Sequence, residues 1–356
     1  MTLPVKTMTS VEYASTDLNE PTVASGIVSG FVEFAVSNGA NRHHLIANAG
    51  IDVGWLLDRD SRVPVSRYVK MLESARQECK DPAIALKFGE RYSLAELSIV
   101  ALVCETCATA AEALLQMNRL SRLLIDDNDR GPAERLAIEH KSGEVWMVLT
   151  CDKSVDHPLI TESAFARIVC SFDRLLGSRE CVREVHFAHG EPTYSDEHQR
   201  VFGVPVRFGT DKNAIRIDAA ALSAPLPPSD PFAFGVLSDR ATHLLAALKR
   251  AQTFRAQVEH KIMLTLHMGQ PTIEKVSAGM GVSVQILARR LADENITFEV
   301  LLDELRHQLA LNYLSDGKVS VKETAYLLGY SEASSFSRAF KRWTGTAPSK
   351  RRELPD

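Results

Sequence analysis

The chain has 356 residues and a mass of 39.3 kDa, and 45% of its residues are hydrophobic and 24% charged. This composition is globular, and the length suffices for two domains that each bury a core. No basic segment followed by an apolar run opens the chain, and no apolar run approaches 18 residues. Neither secretion nor a membrane-spanning helix is therefore expected, and a cytoplasmic location is predicted.

Charge is distributed unevenly along the chain. The formal net charge of −4 argues by itself against a nucleic-acid partner. Residues 240–356, however, contain 17 Lys and Arg against 12 Asp and Glu (+5), whereas residues 1–239 contain 24 against 33 (−9). This asymmetry is typical of a polyanion-binding module joined to a sensor or partner domain, although a solvated charged face is the plainer explanation.

The first two thirds of the chain mix helix and strand patterns. Residues 1–20 are polar and without periodicity, so they are predicted to be disordered. Residues 21–222 are predicted to form an α+β domain, in which Thr109 and Glu112 stand in capping-box register ahead of a leucine-rich helix. Strand order is not predicted. The other predicted elements are a hairpin at Ser142-Gly143, a helix at Ile160–Leu176, and strands at Val185–Ala188 and Ala214–Ile217.

The same region offers no clear catalytic or metal site. The six cysteines are too irregularly spaced for a disulfide framework and are expected to be thiols. Cys104-x-x-Cys107 would suit a redox or zinc site, but no second pair follows at zinc spacing, so core packing is favoured. His186 and His189 would project from opposite faces of a strand and would not share a metal. No G-x-S-x-G elbow and no Gly-rich phosphate loop occurs.

We therefore predict no enzyme, no cofactor and no metal, and no effector-binding residue is identified. Several large apolar side chains could line a cavity, but core packing is the favoured role for each. These side chains are Phe88, Leu102, Leu124, Trp146 and Phe165.

A proline-rich segment separates the two parts of the chain. Four prolines lie within the eleven residues Leu222–Phe232. Each removes a backbone donor and disfavours helix at the preceding residue. We predict a linker over residues 223–245 and a second domain over residues 246–354.

The second domain repeats one plan. Residues 272–294 and 320–345 each read as a helix, a glycine turn and a second helix. Capping side chains open the helices, and glycine takes the left-handed conformation at the turn. These residues are Thr272, Gly281 and Ser283 in the first copy and Ser320, Glu323, Gly329 and Ser331 in the second.

The second helix of the first copy has two unlike faces. At 100° per residue, Leu287 and Leu291 fall on one side. The opposite side carries Gln285, Ala288, Arg289 and Ala292. Small side chains let a backbone approach base edges, while Arg reads guanine and Gln reads adenine in the major groove.

The second copy follows the same division. Phe336, Phe340 and Trp343 share one face of its second helix. The opposite face carries Ser334, Ser337, Arg338 and Lys341. One such helix would be an ordinary surface helix, but two copies favour a pair of DNA-reading helices.

A capped helix is predicted between the copies, over Thr297–Leu314. Its eighteen residues span about 27 Å at 1.5 Å per residue. It could hold the two reading helices roughly one DNA turn, about 34 Å, apart on one face of a duplex. The second domain is therefore predicted to be all-α, with two helix-turn-helix motifs joined by a linker helix.

The block A-x-x-L-G-Y-S-x-x-S-x-F-S-R-A-F-K-R-W-T-G-x-x-P at Ala325–Pro348 resembles the DNA-binding domain of the AraC/XylS family of bacterial transcription regulators. The likeness covers about Leu248–Arg352. More loosely, the first 230 or so residues are similar to the arabinose-binding-type N-terminal domain of some members, through Pro192, Phe202, Gly203, Pro205, Val206 and Phe208. The pattern's tyrosine is displaced, with Tyr194 one position early and His198 nearer the expected place.

The resemblance implies which residues face the bases. In the first reading helix, over Val284–Glu294, these are Gln285, Ala288 and Arg289. In the second, over Glu332–Thr344, they are Ala333, Ser334, Ser337 and Arg338. Phosphate contacts are expected from Lys341, Arg342, Lys350, Arg351 and Arg352.

The resemblance also implies a one-component regulator that binds promoter DNA, senses a small molecule, forms a homodimer and contacts RNA polymerase, as activator or repressor at the nucleoid. Two alternatives stay open. In one, the DNA-binding module is fused to a cysteine-dependent enzyme. In the other, the N-terminal domain only oligomerises and binds no ligand.

Overall fold

The computed structural model describes residues 20–127, 135–141, 143–150, 155–176, 181–227, 230–251, 253–266, 269–315 and 319–352. The chain divides into two compact units, residues 1–248 and 249–356. The segment 1–19, predicted to be disordered, lies outside the described residues.

The first unit is α+β, as the sequence predicts. Its strands are β1 (Thr22–Ala24), β2 (Arg62–Pro64), β3 (Ile125–Asp126), β4 (Leu136–Lys141), β5 (Glu144–Leu149), β6 (Val182–His186), β7 (Val206–Arg207) and β8 (Asn213–Ile217). Its helices are α1 (Ser25–Ser37), α2 (Arg42–Ala49), α3 (Val65–Glu78), α4 (Ile84–Arg91), α5 (Ile99–Glu105), α6 (Ala110–Leu120), α7 (Pro158–Leu176), α8 (Ser195–Phe202), α9 (Ala219–Ser223) and α10 (Pro231–Ala251). Short 3-10 helices occur at Val53–Leu56, Leu94–Glu96 and Ser121–Leu123.

Two sheets organise this unit. The smaller has the strand order β2-β1-β3 and the larger β4-β5-β8-β6-β7. Neighbouring strands are antiparallel except β6 and β7, which pair in parallel. Strands β4 and β5 form the predicted hairpin, with Leu136 opposite Leu149 and Lys141 opposite Glu144. Ser142 of its turn lies outside the described residues.

Each sheet anchors its own core. Helices α1 to α4 pack with the small sheet around Phe31, Phe88 and Met71. The larger sheet packs on α7 and α8 around Phe165 and Phe187. Helices α4 and α7 lie close together, because a Cβ at Gly89 would stand 2.2 Å from the carbonyl oxygen of Ser163.

The predicted boundaries in this unit hold to within a few residues. Helix α7 begins two residues before the predicted Ile160, and β6 ends at His186 instead of Ala188. Thr109 caps α6, since its Oγ1 accepts from the backbone N–H of Glu112. In a capping box, the Glu112 carboxylate would accept from the backbone N–H of Thr109. Here it accepts instead from the backbone N–H of Ala108, one residue earlier.

The five apolar side chains predicted to pack in a core differ in how far the structure buries them. Phe88 and Phe165 are fully buried, and Trp146 packs in a small cluster with Val148 and Ala214. Leu102, in contrast, is 38% exposed, so the prediction that it packs in a core is wrong. Leu124 lines a cavity described below.

The segment predicted as a linker is helical from Pro231 onward. Proline is favoured at the first position of a helix, because the N–H that it lacks would have no partner there. Pro231, the last proline of the stretch, is therefore the first residue of a helix. Helix α10 buries Ala241 beside α5 and α6, with Phe234, Leu237 and Leu245 packed around it. The apolar spacing of these four residues carried the helical signal.

The second unit is helical throughout its described residues. Its helices are α11 (Phe254–Leu266), α12 (Ile273–Gly279), α13 (Val284–Asp293), α14 (Phe298–Ser315), α15 (Val321–Leu327), α16 (Ala333–Thr344) and α17 (Pro348–Arg352). Helices α12 and α13 form one helix-turn-helix, α15 and α16 the other, and α14 joins them. The predicted all-α domain with a linker helix is therefore confirmed.

Candidate nucleic-acid interface

Side-chain capping bonds set the start of three of the four motif helices. Thr272 caps α12, Ser283 caps α13, and Ser320 caps α15 through hydrogen bonds from backbone N–H groups three residues on. Glu323 returns the bond to the N–H of Ser320 at 2.8 Å, which completes the predicted capping box. Such caps satisfy donors that a helix leaves unpaired.

One predicted cap is wrong. Helix α16 begins after Glu332, and no side chain caps it, whereas the sequence predicts Ser331 in that role. The shift by one residue leaves the Glu332 carboxylate free to accept from the hydroxyl of Ser334 at 3.0 Å. The motif turns are as predicted, because Gly281 and Gly329 adopt positive φ angles of 67° and 75°.

Each helix-turn-helix has its own core, and α14 contributes to both. In the first, Leu287 and Leu291 of α13 pack with Leu301 and Leu305 of α14. In the second, the core residues are Ala310, Leu314, Ala325, Leu328, Phe336 and Phe340. The predicted inward faces of α13 and α16 are therefore confirmed, with Trp343 only half-buried at the rim.

The opposite face of α13 is exposed. Gln285, Ala288 and Arg289 are all exposed side chains, and Arg289 makes no hydrogen bond or ion pair with any described residue. Arg290 lies on a different side, with its guanidinium 5.2 Å from the ring centre of Phe254. Arg289 thus presents an exposed guanidinium on the face opposite the core.

The opposite face of α16 is exposed at Ser334, Arg338, Lys341 and Arg342. Arg338 donates to the hydroxyl of Ser335 at 3.2 Å. Lys341 has no ion-pair partner within the described part of the chain. Arg342 is 64% exposed in its side chain and forms a salt bridge with Asp303 of α14.

Two predicted contact residues are less accessible. Ala333 is half-buried against the second core, and the half-buried Ser337 donates its hydroxyl to the carbonyl of Ala333 at 2.8 Å. Lys350 is exposed on α17, while the side chains of Arg351 and Arg352 lie outside the described residues.

A buried arginine that the sequence analysis missed joins α14 to the second turn. Arg306 is 5% exposed, and its Nε donates to the carbonyl of Leu328 at 2.9 Å. Its guanidinium lies 4.4 Å from the ring centre of Tyr330, and burial lowers its pKa. The available signal was a charged residue four positions after Leu302, on the apolar stripe of α14.

The cysteine pair of the first unit behaves as core. Cys104 and Cys107 are 6% and 4% exposed, and their thiols donate to the carbonyls of Ala113 and Val103. Burial raises the pKa of Cys104 to about 12 and that of Cys107 to about 11, so both are protonated thiols at neutral pH. Among the described residues, no group of His, Cys, Asp and Glu is arranged to hold a metal ion.

The two neighbouring histidines contact different carboxylates. His186 lies 3.1 Å from Glu184, and His189 lies 3.4 Å from the buried Glu162. Glu162 also accepts from the hydroxyl of Tyr194 at 3.0 Å and lies 3.4 Å from His198. Tyr194 and His198, which depart from the family's spacing, therefore meet at one buried acid.

Two helix-turn-helix motifs on one connecting helix, beside a separate α+β unit, define a DNA-binding transcription regulator. Residues 39–226, more than half of the chain, match the family model of the arabinose-binding domain of AraC transcription regulators, and residues 276–353 match a helix-turn-helix domain. The chain therefore belongs to the AraC family of transcription regulators.

Known proteins resemble the chain over most of its length. It is 24% identical to the ornithine utilization regulator of Pseudomonas aeruginosa, covering 91% of this chain and 94% of that protein. It is also 24% identical to the regulator VirS of Mycobacterium tuberculosis, covering 90% and 93%. The solved structure of the regulator CdpR from Pseudomonas aeruginosa is 22% identical, covers 90% of this chain and 98% of its own, and superimposes with a TM-score of 0.41.

No helix in the described part of the chain is both long and apolar enough to span a bilayer.

Proposed function

We propose that α13 and α16 enter two successive segments of the major groove of promoter DNA. The observation that carries this proposal is the paired exposure of Arg289 on α13 and Arg338 on α16, each opposite a buried apolar face. Gln285, Ala288, Ser334 and Ser337 would lie beside them at the base edges. The face of α16 is less open at Ala333 and Ser337, so Ser334 and Arg338 carry more of its base contacts.

Phosphate contacts position such a protein without specifying sequence. Lys341 is exposed and unpaired among the described residues, so it is suited to this role. Arg342 is already neutralised by Asp303 and must exchange that partner for a phosphate. Lys350 is exposed on α17 and is proposed for the same role, as are Arg351 and Arg352 on the basis of the family resemblance.

The first unit is proposed to sense a small molecule. A ligand alters DNA binding only if it binds two conformational states unequally. The family model is named for arabinose, and one relative is named for ornithine utilization, so these are the first two compounds to test. We propose that the protein forms a homodimer, which would bind two half-sites and multiply the specificity of each protomer. Contact with RNA polymerase would then convert DNA binding into regulation. Both would take place at the nucleoid, in the cytoplasm.

The enzymatic alternative is not favoured, because the buried, protonated thiols of Cys104 and Cys107 are poor nucleophiles. The alternative of a purely oligomeric first unit is countered by an apolar cavity in that unit, described below.

Selection of bound duplexes from a random pool by the full-length protein tests the DNA proposal. We expect a consensus with two conserved blocks whose centres are about 10 base pairs apart. A single block, or retention that is equal for every duplex, would overturn the assignment of two reading helices. Genome-wide footprinting with and without arabinose or ornithine then tests effector control.

A further inference from the structure

A cavity of about 240 Å³ lies inside the first unit, between α5, α6, α7 and strands β4 and β5. Its walls are mostly aliphatic or aromatic, with Leu114, Met117, Ile168, Phe172 and Leu175 among them. A single water needs only about 10–15 Å³ of such space. The cavity is therefore large enough for an organic ligand, and its apolar walls favour the apolar part of one.

Two arginines line this cavity, Arg167 and Arg135, and Arg135 forms a salt bridge with Asp127. Arg167 of α7 is 7% exposed, and the N–H of its Nε has no hydrogen-bond partner. Its Nη2 donates to the hydroxyl of Ser163 at 3.2 Å, and its Cζ lies 5.0 Å from the ring centre of Phe88. No carboxylate of the described residues forms an ion pair with it.

An arginine in this position is costly. A buried charge is strongly disfavoured unless a countercharge accompanies it, and contact with an aromatic face offsets only part of that cost. Burial accordingly lowers the pKa of Arg167 to about 10. The structure therefore presents a desolvated guanidinium that lacks an anion.

A phenol stands near the same guanidinium. Tyr68 is 3% exposed and lines the cavity. Burial raises its pKa to about 12, and the charge of Arg167 offsets part of that shift. Its hydroxyl makes no hydrogen bond to the described residues. A guanidinium and a phenol that line one apolar cavity offer donors to a carboxylate, whose two oxygens can accept from both.

The cavity is poorly suited to a sugar. The four serine hydroxyls at its wall are already engaged, since Ser121 donates to the carbonyl of Asn118 and Ser171 to that of Arg167. Ser93 bonds to Glu105, and Ser163 accepts from Arg167. A sugar brings several hydroxyls that each need a partner when they are buried.

We propose that this cavity binds an amphipathic carboxylate, with the carboxylate at Arg167 and Tyr68 and an aliphatic chain along the walls of Leu114, Met117 and Phe172. The inference deepens the effector role proposed above, on which its regulatory meaning rests. The binding site itself stands independently of that role.

Calorimetric titration of the full-length protein, without DNA, tests the site. The probe is sodium decanoate below its micelle concentration, with 1-decanol, decyltrimethylammonium and L-arabinose as controls of charge and class. We expect decanoate to bind at least tenfold more tightly than each control. Equal affinities for decanoate and decanol would overturn the role of Arg167, and absence of decanoate binding would overturn the site.

Two variants and a matched control localise the ligand. Arg167→Met should weaken the affinity for decanoate more than about tenfold, the size expected when a hydrogen bond to a charged group is lost. The same variant should leave the affinity for decanol unchanged. Arg174→Met removes an exposed charge from the same helix and should bind decanoate as the wild type does. If Arg167→Met does not fold, Ala164→Phe, which fills the cavity and keeps the charge, should abolish binding. Unchanged affinity in Ala164→Phe would overturn the location.

The same protein with its selected duplex separates the two proposals. Decanoate that binds through Arg167 yet leaves duplex retention unchanged would refute effector control by this ligand while upholding the site. Retention that changes on addition of arabinose, without decanoate binding, would uphold an effector role and refute this site.

Discussion

The Nε of Arg306 donates a hydrogen bond to the carbonyl of Leu328 at 2.9 Å, and this bond ties the connecting helix α14 to the turn of the second helix-turn-helix. Leu328 is the C-cap residue of α15, and its carbonyl is one of the acceptors that a helix leaves unpaired at its C-terminus. The arginine therefore fixes α15 and, through the turn, the start of α16.

Arg306→Met should loosen the second motif. The substitution leaves a buried carbonyl without its donor, which costs about 1–3 kcal/mol. Hydrogen exchange in the full-length protein should show faster exchange in peptides covering 321–344 than in those covering 273–293. Arg255→Met, which removes a 40% exposed guanidinium from salt bridges with Glu259 and Glu304, should change protection by less than about 1 kcal/mol. Equal effects of the two variants would contradict the role of Arg306.

The two turn glycines should respond differently to a methyl group. Gly281 and Gly329 both have positive φ, so alanine costs about 1–2 kcal/mol of backbone strain at either. No described atom lies within 4 Å of a Cβ at Gly281, whereas one at Gly329 would meet the carbonyl oxygens of Gly269 and Leu266 at 2.8 and 2.9 Å. Gly329→Ala should therefore lower the melting temperature of the second unit further than Gly281→Ala in scanning calorimetry. Matching melting temperatures would mean that the two carbonyls move aside without cost.

Binding measurements should distinguish side chains that read bases from side chains that contact phosphates. Arg289→Ala and Arg338→Ala should each lose roughly 1–3 kcal/mol on the selected site and relax the preference at one base pair. Lys341→Ala should weaken all duplexes alike and reduce the slope of log affinity against log salt by about 1. Fluorescence anisotropy at several salt concentrations measures both quantities. Uniform weakening by the arginine variants would make them phosphate contacts.

The salt bridge between Asp303 and Arg342 should restrain DNA binding. Asp303→Asn releases the guanidinium of Arg342, so affinity for unspecific duplex should rise and the salt slope should steepen by up to about 1. Glu299→Gln removes one negative charge from the same helix without touching Arg342, and it controls for net charge. If both variants bind DNA with the same affinity and salt slope, the salt bridge has no such role.

The paired cysteines should resist alkylation. At pH 8 a thiol whose pKa is raised to about 12 is a thiolate in about one molecule in ten thousand, so Cys104 should react with iodoacetamide far more slowly than the half-buried Cys181. The folded pKa lies above that of a free thiol, near 9, so this group's contribution to stability is present below about pH 9 and lost as the pH rises toward 12. Peptide mapping after timed alkylation measures the rates. Rapid labelling of Cys104 in the native protein would instead indicate a reactive thiol.

Most of the helices and turns of the DNA-binding domain can be predicted from local sequence. Caps such as Ser283 and Ser320, the left-handed glycines and the apolar stripe of α14 act within windows of about twenty residues, where spacing alone predicts them. The one wrong cap, Ser331, differs from the structure by a single position, which is the ordinary uncertainty of a helix end. The family resemblance adds the identity of the base-facing residues, and these stay predictions.

Tertiary structure alone decided the rest. The strand order, the pairing of Arg306 with Leu328 and the approach of Gly329 to the end of α11 join residues that are far apart in the chain. The cavity around Arg167 likewise draws its walls from helices and strands between Val23 and Leu226. Local periodicity reports which face of an element is buried but not which element covers it, because many partners bury an apolar face equally well. Only the packed fold chooses among them, and it is the fold that leaves Arg167 buried without a countercharge.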